Sequence, residues 1–146
     1  MIRGLRARAK SDEGSVLLLG IGFIGVLLLA VSVVTDASMA FLQRSTLQAR
    51  ADAAALAGVQ GIDLDAYYAY GASEATRLVP VTARSLARNQ LALAQDASPI
   101  PGMEVVSLTA SDRELRAVLR APLRTAFWPL EATITVESAA RLGYVG

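Results

Sequence analysis

The sequence predicts an α+β fold in which a long N-terminal helix crosses a membrane and carries a small head. Two observations predict it: an uncharged run from Gly14 to Thr35, and a change of apolar period from helical to alternating after Gly102. About 20 apolar residues at 1.5 Å per residue match a hydrocarbon thickness of about 30 Å. We therefore expect the chain to be attached to a membrane through this run.

The charges around the apolar run predict its orientation. Residues 1–13 form a short basic tail that we expect to be unstructured, and residues 14–35 form the transmembrane helix. The basic side chains of the tail are Arg3, Arg6, Arg8 and Lys10. Because basic residues beside a span favour the cytoplasmic side, we expect the N-terminus inside and the C-terminal part outside the cytoplasm.

A cleaved secretory signal is the alternative interpretation of the N-terminus, with Ser38-Met39-Ala40 as a nominal cleavage sequence. The apolar core of such a signal is about 7–15 residues long. The run here is longer, and neither Pro nor Gly interrupts the helix-forming sequence from Val26 to Ala57. A retained span is therefore favoured.

Residues 36–60 are predicted to continue the same helix outside the membrane. The residues that follow one face at helical spacing are Ala40, Leu47, Ala51, Ala54 and Gly58, whereas Gln43, Arg50 and Asp52 lie off it. Alanine combines a small side chain with high helix propensity, so this face can approach another helix closely. We expect the helix to end at Gly58 or Gly61.

Residues 61–146 are predicted to form the head. Its first part is a connector from Gly61 to Gly71 that carries Tyr67, Tyr68 and Tyr70. A second helix should run from about Ser73 to Gln95, interrupted or restarted at Pro80, with Ala83, Leu86, Ala87, Leu91 and Ala94 as its apolar stripe.

Three alternating segments follow and predict a three-stranded antiparallel sheet that is covered on one side. The inward positions are Val106, Leu108 and Ala110, then Leu115, Ala117, Leu119 and Ala121, and last Ala132, Ile134 and Val136.

The composition removes the commonest catalytic and metal-binding side chains, because the chain has no Cys and no His. Asp63 and Asp65 lack the further oxygen ligands of a calcium loop, so we expect them to cap helices or face water.

Arg116 and Arg120 are expected on a solvated strand face, and the arginines are not clustered with aromatic residues as in a nucleic-acid groove. We expect no enzymatic activity, cofactor, metal, nucleic acid or small-molecule substrate.

Gly20, Gly22 and Gly25 form a formal GxGxxG pattern inside the span. A dinucleotide site needs this pattern between a strand and a helix, and here no strand precedes it. Small residues within a span instead allow close packing of helices in lipid, which is the favoured interpretation.

Asp36 is the first charged residue after the span. The favoured interpretation is that it marks the water interface, since charges end spans for reasons of solvation. The alternative is a contact with the helix of a neighbouring subunit.

The order of these features resembles a known family. The carriers of the resemblance are Glu13-Gly14-Ser15-Val16, the span, Asp36 and the segment LQARADAAALA at residues 47–57. Together they resemble the N-terminal module of TadG/TadE-like proteins of the Tad (Flp) pilus system, over roughly residues 12–60. Residues 60–67 and the β-rich end are similar to short actinobacterial members. The resemblance implies a structural, non-catalytic minor pilin or pilus-assembly component that contacts other pilin or assembly subunits at a membrane.

One feature departs from the pattern of processed prepilins. The candidate processing site is Gly14-Ser15, but the Glu usual five residues after the cut is absent, and Glu13 instead precedes the Gly. The departure implies an unprocessed chain that is retained in the membrane or located at a pilus tip.

We expect the partner subunits to dock on the N-terminal helix. The residues expected at this interface are Gly20, Gly22, Gly25, Asp36, Leu47, Gln48, Ala51, Asp52, Ala54, Ala55 and Gly58. The alternative function is a membrane-tethered binding or sensor module with its ligand at the tyrosine-bearing connector.

Overall fold

The computed structural model describes residues 3–70, 77–129 and 131–143, with side chains described from Gly14 onward except that of Tyr70. Within these residues, three helices precede three strands: α1 (Arg3–Gly58), α2 (Leu64–Tyr70), α3 (Pro80–Ala97), β1 (Glu104–Ala110), β2 (Glu114–Pro122) and β3 (Thr133–Arg141). The predicted α+β class is confirmed.

Helix α1 is continuous over 56 residues and includes the basic tail, which was expected to be unstructured. The difference follows from composition, since Leu, Ala, Arg and Lys are strong helix formers and no Pro stops the helix. The large apolar side chains of residues 16–34 are exposed all round the helix, from 48% at Leu27 to 75% at Leu18 and Leu19. Helix α1 thus has the length and composition to cross a membrane once.

The three strands form an antiparallel sheet in the order β1-β2-β3. Leu115, Ala117 and Leu119 of the central strand are completely buried, as their alternation predicted. The prediction for Val106 is wrong, because β1 carries a bulge there: Val105 pairs with Leu119, and Ser107 pairs with its neighbour Val118. The extra residue leaves the ladder, and its side chain is 47% exposed.

Helices α1 and α3 cover one face of this sheet and enclose a single core. The buried members are Leu47, Ala51, Ala54, Ala55, Ala83, Ala87, Leu91, Leu115, Ala117, Leu119, Ala121 and Val136. Both helices contribute mainly alanine, and small side chains at a contact let helices approach closely.

The described part of the second helix begins at Pro80, where the ring lacks only an N–H that a first-turn residue would leave unpaired. Residues 73–76, where we expected it to start, lie outside the described residues. The connector holds the short helix α2, and Asp63 Oδ1 accepts a hydrogen bond from the Ala66 N–H at 3.0 Å. The expectation that Asp63 caps a helix is therefore confirmed.

Helix α1 ends at Gly58, as predicted, and the next glycine follows within one turn. A Cβ at Gly58 would lie 2.5 Å from Leu115 Cδ1, and a Cβ at Gly61 would lie 2.8 Å from the backbone nitrogen of Ala83. Both positions thus need glycine because the sheet and the start of α3 approach them so closely.

Candidate functional site

Helix α1 holds the head with three polar side chains spaced seven residues apart: Asp36, Gln43 and Arg50. Seven residues are nearly two helical turns, so the three side chains share one face. Asp36 and Gln43 bind the backbone of the connection between β2 and β3, and Arg50 binds the backbone just after α3. This face of α1 therefore binds the head by hydrogen bonds as well as by apolar contacts.

Asp36 binds the connection between β2 and β3. Its side chain is only 7% exposed. Its Oδ1 accepts a hydrogen bond from Ala126 N–H at 2.7 Å, and its Oδ2 accepts one from Trp128 N–H at 3.0 Å. The Phe127 N–H lies between them, 3.2 Å from Oδ1. Three successive N–H groups of a turn thus form a concave anion site that the carboxylate fills.

This contact shifts the acidity of Asp36. Burial alone would raise the pKa of the carboxyl, but the backbone N–H donors of Ala126, Phe127 and Trp128 outweigh it. The pKa therefore lies below its ordinary value of 3.8, and the group is ionised at neutral pH.

The structure thus differs from both sequence-based interpretations of Asp36. The carboxylate is not a solvated marker of the water interface, and its partners belong to its own chain and not to a neighbouring subunit. Sequence could not show this, because the donors are backbone groups about 90 positions further along the chain.

Gln43 binds an earlier residue of the same connection, and Arg50 holds the loop that follows α3. The Gln43 amide accepts from Arg124 N–H at 2.9 Å and donates to Arg124 C=O at 2.5 Å, as a neighbouring strand would. The Arg50 guanidinium, 8% exposed, donates to Gln95 Oε1 at 2.7 Å and to the Ser98 carbonyl. These carbonyl-type oxygens at the C-terminal end of α3 satisfy the buried charge without a carboxylate.

The expectation that Gln43 and Arg50 lie off the packed face is wrong. Both lie on the side of α1 that faces the head, where backbone groups of the head are their hydrogen-bond partners. The missed signal was the seven-residue spacing of Asp36, Gln43 and Arg50, which matches the apolar stripe.

Part of the expected partner interface lies inside the head. Leu47, Ala51, Ala54 and Ala55 are at most 1% exposed, and Gly58 is also buried. Since α3 and the sheet cover these positions, the expectation that another subunit docks on them is corrected.

The remaining interface candidates lie on the surface. Gln48 is half-buried and donates to Asp52 Oδ1 at 2.9 Å and to the Glu137 carbonyl at 3.2 Å, while Asp52 is exposed. Among the described residues, no atom lies within 4 Å of a Cβ built at Gly20, Gly22 or Gly25. These glycines thus contact no other element of the described chain, and their use against other helices stays a prediction.

The predicted processing site, Gly14-Ser15, also stays a prediction. Gly14 and Ser15 are exposed on α1, and a Cβ at Gly14 would meet no atom of the described part of the chain within 4 Å.

The outer face of the sheet carries solvated ion pairs. Arg116 lies 2.5 Å from Glu137 Oε1 and 3.3 Å from Glu114 Oε1, and Arg141 lies 2.6 Å from Glu114 Oε2. The hydrogen bond from Arg141 lowers the pKa of Glu114 below its ordinary value of 4.5, against an opposing effect of partial burial. The expectation of a solvated arginine face is confirmed, and such pairs contribute little to stability.

The remaining features that could serve a ligand are the acidic residues, the tyrosines of the connector and one cavity. Over residues 3–70, 77–129 and 131–143, no three acidic side chains come together as a metal site would require. Tyr67 and Tyr68 pack edge to face with ring centroids 5.7 Å apart, and Tyr68 is 81% exposed. A cavity of about 280 Å³ lies elsewhere, between Leu42, Pro101 and Pro122.

Comparison with known proteins finds a family similarity in the N-terminal part of the chain. Residues 14–61 match the family described as putative Flp pilus-assembly TadE/G-like. No curated protein and no solved structure matches the chain. The matched segment begins where the uncharged run begins and ends just after α1, so it contains both the span and the face that grips the head. The resemblance inferred from the sequence is confirmed: residues 14–61 are similar to the TadE/G-like Flp pilus-assembly family.

Proposed function

We propose that this protein is a structural, membrane-anchored component of a Tad/Flp-type pilus or a related secretion machine, acting as a minor pilin or an assembly subunit. The main observation that supports the proposal is that the family match, over residues 14–61, covers an apolar helical segment. The membrane half of this segment has no partner within the described chain. Such a helix is suited to lipid and to the helices of other subunits.

The proposed orientation has the N-terminus in the cytoplasm and the head outside. The four basic residues of the tail support it, because Lys and Arg beside a span are retained on the cytoplasmic side. Cysteine labelling with a membrane-impermeant maleimide tests it. A Cys introduced at exposed Ser85 should react in intact cells, whereas one introduced at Ser11 should react only after lysis. The reverse pattern would refute the orientation.

The proposed contact with other pilus subunits lies on the glycine face of the span, Gly20, Gly22 and Gly25. Small residues let two helix backbones approach closely in lipid, where van der Waals packing drives association. Core positions such as Ala51 are unsuited to test this contact, since a change there would disturb the head itself.

Copurification from the membranes of the native host tests the contact. Gly22→Leu and Gly25→Leu should strongly reduce recovery of other pilus subunits with this protein, while membrane insertion stays unchanged. Val31→Leu is the matched control, because it enlarges an exposed side chain of the same span without changing a glycine. Unchanged recovery with both glycine variants would remove this face from the proposal.

We also propose that the chain keeps its tail, since the Glu usual after a processed Gly is absent. Intact-mass measurement of the membrane-extracted protein should show residues 1–14 present. A mass that begins at Ser15 would show processing and would favour incorporation into a pilus shaft.

A further inference from the structure

The connection between β2 and β3 descends along α1 towards the membrane. It leaves the sheet with a hydrogen bond from Leu123 N–H to Ala132 C=O at 2.7 Å, and Arg124 then pairs with Gln43. Two residues later its tip reaches Asp36. Since α1 rises 1.5 Å per residue, the tip lies about 10 Å closer to the span than Gln43 does.

The tip carries two large aromatic side chains at the end of the span. Phe127 is 61% exposed and Trp128 is 49% exposed. Trp128 lines a recess of about 400 Å³ together with Val33, which belongs to the apolar run, and with Asp36. The exposed aromatic surface of the head is therefore continuous with the exposed apolar surface of the helix.

Several backbone groups of the tip are paired within the chain. Asp36 accepts the N–H groups of Ala126, Phe127 and Trp128, and the Thr125 hydroxyl donates to the Trp128 carbonyl. Unpaired backbone groups make it costly to bring a loop into a poorly hydrated layer. Here the three N–H groups and the Trp128 carbonyl are already paired, which lowers that cost, whereas an ordinary surface loop would need water at these groups.

We propose that Phe127 and Trp128 lie in the interfacial layer of the lipid bilayer that α1 crosses, so that the head is seated directly on the membrane. The indole combines an apolar ring with a polar N–H, which suits the level of the lipid headgroups. Asp36 is the positioning residue, because it fixes the tip beside the last turn of the span. The inference rests on the membrane anchoring in the proposed function.

Trp128 is the only tryptophan of the chain, so its fluorescence reports its own surroundings. The experiment uses the full chain in vesicles of phosphatidylcholine and phosphatidylglycerol, with bromine either high on the acyl chains or near their ends. Trp128 should be quenched more strongly by the high position than by the deep one, and only weakly by aqueous acrylamide. Strong acrylamide quenching without bromolipid quenching would place Trp128 in water and overturn the inference. Protection from both quenchers would show that protein covers it, which would also overturn the inference.

A matched control moves the tryptophan to the other end of the head. Val81 is 70% exposed at the start of α3, close to where Val79 N–H binds the Gly61 carbonyl beyond the end of α1. In the double variant Trp128→Phe, Val81→Trp, acrylamide should quench and bromolipids should not. Equal bromolipid quenching at both positions would mean that the whole head lies on the bilayer, which contradicts seating through the tip.

Flotation of the same vesicles separates this inference from the proposed function. A chain that stays at the bottom of the gradient would refute the membrane anchoring itself. A chain that floats while Trp128 remains in water would refute only the seating of the head.

Discussion

The two halves of α1 form one uninterrupted helix, but they meet different surroundings. Residues 16–34 expose apolar side chains in every direction, and a Cβ at Gly22 would have nothing within 4 Å in the described chain. Beyond residue 36, one face is buried under the head, and a Cβ at Gly58 would collide with Leu115. A substitution of the same kind should therefore destabilise the head in the second half of α1 and leave its stability unchanged in the first half.

This difference shows that an alanine-rich helix face beside a span need not be a docking surface for another subunit. Ala51, Ala54 and Ala55 are covered by the chain's own α3 and sheet. The membrane half is the part of α1 that the described head leaves uncovered, and it is where we propose the contacts with other subunits. This division between the two halves can be tested by substitution.

The largest effect is expected for Ala51→Arg. Ala51 is 0% exposed, so the new guanidinium would be buried without a partner. The free energy of unfolding of the head should fall by about 3–5 kcal/mol. Urea unfolding in detergent, followed by Trp128 fluorescence, measures it. Ala49→Arg is the control at a neighbouring exposed position and should change the value by less than about 0.5 kcal/mol. Equal effects of the two variants would contradict the intramolecular core.

A smaller effect is expected for Gly58→Ala. The added Cβ would lie 2.5 Å from Leu115 Cδ1, and Leu115 is fully buried and cannot move freely. Overpacking of this kind should lower the free energy of unfolding by about 1–3 kcal/mol. Gly22→Ala makes the same change in the membrane half and should leave the stability of the head unchanged. A stable Gly58→Ala variant would show that the sheet can retreat from α1.

Asp36→Asn should loosen the tip of the β2–β3 connection without unfolding the head. The amide replaces one carboxylate oxygen with an NH2 donor, so either the Ala126 N–H or the Trp128 N–H would face another donor. Hydrogen exchange of the amides of residues 126–128 should accelerate by about tenfold, while that of β2 stays unchanged. Asp52→Asn, at an exposed site, is the control. Unaltered exchange would mean that Asp36 does not hold this loop.

The smallest effect is expected from pH. Asp36 and Glu114 have pKa values below their ordinary values of 3.8 and 4.5 in the folded chain. Their contribution to stability is therefore complete above about pH 4.5 and is lost as the pH falls through the lower folded values. The midpoint of thermal unfolding should be steady from pH 7 to 5 and should decrease below pH 4. The decrease should be shallower in the double variant Asp36→Asn, Glu114→Gln, and an equally steep one would assign the pH dependence to other groups.

Local sequence patterns predicted most of the elements. The uncharged run identified the span, the unbroken helix formers predicted a continuous α1, and alternation placed Leu115, Ala117 and Leu119 inside the sheet. These predictions succeeded because hydropathy and periodicity depend on neighbouring residues alone. The bulge at Val106 escaped them, because the alternation does not show where a ladder gains an extra residue.

The sequence alone therefore specifies a membrane helix, a sheet that is covered on one side, and a face of α1 that must be buried. Only the tertiary structure decided what covers that face and what the polar residues on it bind. An apolar stripe requires burial but does not name the partner, and the head of the same chain supplies it here. Likewise, Asp36 and Arg50 look like solvated charges until distant backbone groups fold against them, because a buried charge is tolerated only where such partners exist.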